Sequence, residues 1–227
     1  MARILLKPSV LWFALSLAVG LGTAAIASAE DDVAVAEHLA RTRFFEGVPA
    51  EEARRIGDAG AARLGEMLSD QSEARHHPQI IEVLGMSGHP LAWPTLRREA
   101  ADMPRGEVDR AVFRKRFALR VAMGHLARHD ERALAELLEE ADGRRSPPTW
   151  SCERHRGARL EALLRRSSVN ALALSGRSEA QRALRRLRRN ADDAEFERGV
   201  LSALAEFDRV ERQRAAAGSR GRRGSSR

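Results

Sequence analysis

Tyrosine is absent from this 227-residue chain, all aromatic residues together make up 4% of it, and there is one cysteine, Cys152. So low an aromatic share argues against a β-sandwich or barrel, whose strands draw on aromatic and β-branched side chains. A single cysteine excludes a disulfide framework within the chain and any cysteine-rich zinc or iron–sulfur site. Lysine is nearly absent too: Lys7 and Lys115 stand among 39 basic residues, and the remainder are arginine. An arginine bias of this kind can come from a GC-rich coding sequence, although the guanidinium fork also pairs bidentately with carboxylate and phosphate. No H-E-x-x-H, G-x-S-x-G, Walker loop or dinucleotide fingerprint occurs, which leaves no recognisable catalytic or cofactor motif. The chain is read as non-enzymatic and without a cofactor, with an enzyme or accessory factor of unrecognised site as the lesser alternative. The apolar set reaches 43% and is spread evenly, too much for wholesale disorder.

Charge is also missing from Pro8 to Ala29. Arg3 and Lys7 precede this stretch, Leu11, Trp12, Phe13, Leu15 and Leu17 fill it, and Ala27-Ser28-Ala29 ends it in the manner of a cleavage site. Residues 1–29 therefore read as a signal peptide, with a mature chain starting near Glu30 that is exported to the periplasm or secreted. After cleavage no membrane span is expected. The alternative is an uncleaved N-terminal anchor, since the uncharged run is long enough to cross a bilayer.

Beyond Glu30 the apolar periodicity is helical almost throughout. It predicts helices over Val33–Arg43, Ala50–Ile56, Ala61–Leu68, Pro78–Leu84, Leu91–Ala100, Val108–Leu126, Glu131–Ala141, Glu153–Leu174, Glu179–Asn190 and Ala194–Glu211. In the segment 108–126, Phe113, Phe117 and Val121 recur every four residues as an apolar stripe, and Arg114, Lys115, Arg116 and Arg120 point elsewhere. No period-two run is long enough for a strand. The short helices with short turns contain an internal repeat: Leu84, Met86, Gly88, Ala92 and Leu96 align with Leu172, Leu174, Gly176, Ala180 and Leu184 at an offset of 88. Weaker copies begin near Ile56 and Ala122, and a degenerate one near Ala203.

An apolar helix ending in Leu-Gly-x-x-Gly, then a polar residue, proline and a second helix, resembles the HEAT-repeat family, including its short bacterial versions. Leu84 through Leu96, with Pro90 and Pro94, is the best match, and the resemblance covers about Ala50 to Asp208. The copy at Leu172 departs from the pattern, with Ala173 where glycine is usual, and the loop from Gly143 to Cys152 is long. The resemblance implies an all-α fold, an α-solenoid of about four to five antiparallel helix pairs, over residues 30–214. It also implies a scaffold or adaptor that binds another protein, here one of the cell envelope or secreted.

Two breaks interrupt the helices, Ala101–Gly106 and Asp142–Cys152, the second carrying Pro147, Pro148 and Trp150. Trp150 is a candidate anchor of an interaction loop, or else folds down onto the adjacent repeat. Residues 218–227 are Gly, Ser and Arg alone, with nothing apolar to bury, and 215–227 read as a disordered basic tail. Charge is polarised: residues 30–100 carry a net −5 and residues 101–227 a net +10. Arg182, Arg185, Arg186 and Arg189 share one helical face by i, i+3, i+4, i+7 spacing, opposite Ala183, Leu184 and Leu187. Arg154, Arg156, Arg159, Arg165 and Arg166 add charge in the preceding segment. The face suits an acidic protein, or in the alternative an anionic polymer or lipid headgroups. It is equally what a solvated helix face would carry. Nucleic acid is disfavoured by export and by the lack of interleaved aromatics for base stacking. His76, His77 and His89, and His125 with His129, have histidine spacing but no supporting carboxylate or cysteine pattern for a metal. Cys152 with His155 is too close in sequence to suggest a catalytic pair.

Overall fold

The computed structural model describes residues 28–224, with side chains described through Ala215. The expected signal peptide, residues 1–29, lies outside the described residues apart from Ser28 and Ala29. Helix α1 covers 28–41. It is followed by α2 (Ala50–Ala53), α3 (Asp58–Ser69), a 3-10 turn (Gln71–His76), α4 (His77–Ser87), α5 (Ala92–Ala101), α6 (Arg110–Leu126), α7 (Glu131–Ala141), α8 (Gly157–Ser175), α9 (Ser178–Arg189) and α10 (Ala194–Gly224). Among the described residues the fold is all-α apart from two two-residue strands, β1 (Gly106–Glu107) and β2 (Trp150–Ser151).

The ends of these helices are written in local chemistry. Asp109 and Asp130 cap α6 and α7, their carboxylates accepting from the amides of Val112 and Arg132 at 2.8 Å each. Asp32 of α1 serves α3 in the same way from a distance in sequence, accepting from the Gly57 and Gly60 amides at 2.8 and 2.6 Å. Helices α4 and α8 end identically. Gly88 and Gly176 both take left-handed φ, 64° and 56°, which glycine adopts without a Cβ clash. In each, the serine before the glycine donates to a carbonyl one turn back, Ser87 to Leu84 and Ser175 to Leu172, at 2.7 Å. Each serine oxygen then accepts the next amide, from His89 at 3.1 Å and Arg177 at 3.3 Å.

Packing follows a regular order. Helix α4 lies on α6, α6 on α8 and α8 on α10 as the most extensive contacts, while α5 sits against α4 and α6, α7 against α6 and α8, and α9 against α8 and α10. The long helices approach closely where they carry small residues. A Cβ on Gly85 would lie 2.5 Å from the Ala122 backbone, and one on Gly124 would lie 2.5 Å from the Ala171 carbonyl oxygen. One apolar core runs continuously from Ala36 to Phe207, with Leu39, Leu64, Ile80, Leu84, Leu96, Leu126, Leu172 and Leu184 among its fully buried side chains.

Arginine reaches from one helix to the orphan carbonyls ending another. Arg116 of α6 donates to Glu99 at the end of α5 (2.9 Å), and Arg165 of α8 donates to Ala141 at the end of α7 (2.9 Å). Arg214 of α10 donates to Ser175 and Gly176 at the end of α8 (2.7 and 2.8 Å), with Arg128 on the neighbouring Leu174 carbonyl (3.2 Å). A helix C-terminus carries partial negative charge and unpaired carbonyls, so each such contact satisfies acceptors and complements the dipole.

The two sequence breaks meet. β1 and β2 pair in parallel, the Gly106 amide donating to Thr149 (3.1 Å) and the Val108 amide to Ser151 (2.8 Å). Directly after β2, Cys152 and His155 exchange two backbone hydrogen bonds of 2.9 Å around a tight turn, with Glu153 at φ 49°. That turn delays α8 to Gly157, four residues after the expected start at Glu153. At the other end α10 runs to Gly224, so the tail expected to be disordered is helical through that residue. Propagating a helix already nucleated by packed turns needs no new nucleus, and Ala215, Ala216 and Ala217 are the best propagating residues.

Candidate functional site

Two places carry the unusual side chains: the outer face of α9, and a small cavity under the β2 loop. On α9, Ala180, Ala183, Leu184 and Leu187 are buried, and Arg182, Arg185, Arg186 and Arg189 are exposed. Their environments differ. Arg186 turns back to Asp142 at the end of α7 and holds both carboxylate oxygens at 2.8 and 3.0 Å. Arg182 has Glu179 at 3.9 Å and the Ser178 hydroxyl at 3.4 Å. Arg185 and Arg189 form no ion pair among the described residues. They line a depression of about 470 Å³ between α9 and α10 with Arg188, Glu197 and Leu204, and Arg188 reaches Glu197 only at 3.9 Å. Arg188, outside the expected set, therefore joins Arg185 and Arg189, whereas Arg186 is committed to the preceding helix. Most other arginines of this half are also engaged. Arg165 lies 4.0 Å from the Phe196 ring besides its carbonyl contact, Arg166 pairs with Glu195, and Arg177 with Glu131 at 3.3 Å.

Trp150 is 3% exposed, which corrects its reading as an exposed anchor. The backbone pairing of β2 with β1 draws it inward, onto Cys152, Leu160 and Leu164 with Val108, Phe113 and Phe117 around them. Phe113 stands edge-on to it at 6.2 Å and stacks on His155 at 5.3 Å. Among the described residues the aromatic side chain fully in solvent is Phe45, 99% exposed between α1 and α2, which no sequence pattern singled out. Cys152 is buried and burial pushes its thiol up, away from nucleophilic chemistry. Its meeting with His155 is through backbone.

Beneath Trp150 a cavity of about 80 Å³ opens between α6, α7 and the loop. Arg116 and Arg120, one turn apart on α6, line it, and Arg116 is 6% exposed. The sequence stripe placed both arginines away from the core. Helix α6 is instead packed by α4, α5, α7 and α8, so its polar side is interior as well. Burial pushes the Arg116 guanidinium down. Across the cavity Glu136 and Glu140 stand one turn apart on α7. Glu136 pairs with Arg97 and Arg145 at 2.5 Å each, and Glu140 pairs with Arg120 and accepts from the Ser168 hydroxyl at 2.6 Å. A sequence signal did exist: Arg116/Arg120 and Glu136/Glu140 repeat one i, i+4 spacing with opposite charge on consecutive helices.

The histidines are dispersed among structural roles. His77 meets the Asp70 carbonyl at 3.0 Å, His89 meets Asp58 at 2.9 Å, and His76 meets Arg75. His125 is pushed down to about 4 by burial and by the nearby cations Arg128 and Arg54. No group of three His, Cys, Asp or Glu able to hold a metal occurs among the described residues, and no helix among them is long and apolar enough to cross a membrane. Comparison of the chain with protein-family models, curated proteins and solved structures finds no match in any of the three.

Proposed function

We propose that this chain is an exported α-solenoid of HEAT-like helix pairs that acts as a non-catalytic scaffold, binding an acidic segment of another envelope or secreted protein through α9. The stacking of α4, α6, α8 and α10 with α5, α7 and α9 on their flank supports the solenoid reading, as does the identical serine–glycine cap 88 residues apart. Stacked pairs bury a continuous core and leave an extended outer surface, which is how such architectures bind. Export rests on the sequence of residues 1–29.

The observation that carries the binding reading is the state of the α9 arginines. Arg97, Arg177 and Arg186 pair across the seams between the flanking helices α5, α7 and α9, whereas Arg185 and Arg189 stand exposed and without an acidic partner among the described residues. Unpaired guanidinium groups on a rigid helix offer bidentate sites to carboxylates and steer an acidic partner in diffusion.

The test is a pull-down from envelope extract with the purified protein, at low and high salt, beside an R182A/R185A/R189A variant that leaves the Arg186–Asp142 pair intact. The expected result is one discrete protein, captured more weakly as salt rises and lost in the variant. Capture of lipid or anionic polymer in its place, or undiminished capture by the variant, refutes the protein-scaffold reading through α9.

A further inference from the structure

The cavity under Trp150 has a one-sided chemistry. All four carboxylate oxygens on its wall are occupied, those of Glu136 by Arg97 and Arg145 and those of Glu140 by Arg120 and Ser168. Its donors are not exhausted. The Nε–H groups of Arg116 and Arg120 and the indole N–H of Trp150 are buried and have no partner. All three belong to residues lining this one cavity. Arg116 is 6% exposed and Trp150 3%, so bulk water does not reach them freely. A buried donor left unpaired is costly, and three left around one void call for an acceptor there.

The acceptor's charge and size follow from the walls. Arg116, Arg120 and Arg145 of the lining, with Arg97 on Glu136 from outside it, outnumber Glu136 and Glu140, so the surplus is positive and suits an anion. About 80 Å³ is the room of roughly two or three waters at about 30 Å³ each, enough for a carboxylate with a very short chain. The rest of the wall is hydrocarbon, from Leu119, Met123 and Leu137.

We propose that this cavity binds a small aliphatic monocarboxylate, its oxygens held by the Arg116 and Arg120 Nε–H groups and the Trp150 indole N–H, and its carbon end against Leu119, Met123 and Leu137. The site is independent of the α9 surface. Trp150 acts as a donor in it and, with the β2 loop, as its cover.

The experiment is ligand-observed NMR titration of the protein, purified from its full-length gene, with acetate, propionate, butyrate and sulfate, against the variants W150F and A100L. Saturable binding of acetate or propionate is expected, without competition from equimolar sulfate. W150F deletes one donor and keeps an aromatic ring in the Phe113 cluster. Losing a hydrogen bond to a charged group weakens binding by about tenfold or more. A100L keeps every donor, fills the cavity from its wall and abolishes binding. Circular dichroism and melting of both variants verify that they fold; should W150F fold poorly, A100L carries the test. Linear uptake without saturation, equal displacement by sulfate, or unchanged affinity in a folded A100L would overturn the proposal and leave water as the occupant.

Discussion

The close approach of the long helices predicts that one substitution, glycine to alanine, has opposite signs at different positions. In an exposed or loosely packed helix interior the change stabilises by about 1 kcal/mol, because alanine loses less backbone entropy on folding. Gly65 of α3 is such a place: a Cβ there meets only the Thr95 side chain, at 3.7 and 3.9 Å. Gly124 of α6 is the opposite case. Its Cβ would lie 2.5 Å from the Ala171 carbonyl oxygen, and ordinary contact begins at 3.4 Å, so α6 and α8 must part by about 0.9 Å. The obstacle is backbone, and α8 is itself held by α7, α9 and α10, so no rotamer change relieves it. Overpacking costs about 1–3 kcal/mol, and the rigid neighbour puts this site at the upper end. Subtracting the helix-propensity gain leaves G124A less stable by about 2 kcal/mol, or about 4–8 °C in Tm for a domain this size. Gly85 against Ala122 gives the same expectation. The assay is urea and thermal unfolding of G65A, G85A and G124A beside the parent. If G124A and G85A rise in stability with G65A, the helices do not pack as described and the small-residue seam is refuted.

Two further outcomes follow from titratable groups held away from water, half-buried His125 and buried Cys152. His125, with its folded pKa near 4 against 6.5 unfolded, takes up protons more readily when unfolded, so its contribution is complete above pH 6.5 and is lost as pH falls towards 4. The stability difference between parent and H125Q should change by up to about 3 kcal/mol across that window, at about 1.36 kcal/mol per pKa unit; parallel pH profiles would contradict it. Cys152, buried with its thiol pushed up, should resist a disulfide-exchange reagent at pH 8 until denaturant opens the β2 cluster, and fast labelling of the native protein would show that the cluster does not hold.

Much of the helical register was legible because apolar periodicity and caps agree. The expected Glu131–Ala141 helix has the bounds of α7, flanked by the Asp130 cap, and the alignment of Gly88 with Gly176 falls on two left-handed helix ends. What stayed hidden depends on contacts between distant segments. Nothing local reveals that Gly106 pairs with Trp150, and that pairing decides the burial of Trp150, as the Cys152–His155 turn after it decides the late start of α8. The burial of Arg116 was hidden for a related reason: a charged residue on a helix reads as solvated unless the helix is known to be covered on that side as well. The α9 face was legible as a spacing, but not its division. The engagement of Arg186 with Asp142 needs the position of α7.

The β1–β2 pair also bears on how the molecule comes apart. In a stack where each helix pair touches only its neighbours, stability is close to a sum of independent units, and the ends can melt while the middle persists. The strands join the segment leaving α5 to the segment entering α8, 44 positions apart at Gly106 and Trp150, and so bypass the α6–α7 pair between them. Helices α6 and α7 therefore sit inside a closed backbone circuit. Closing that circuit limits the freedom α6 and α7 gain if they melt while their neighbours stay folded, so the strand pair disfavours loss of the centre alone and couples the helices on either side of it.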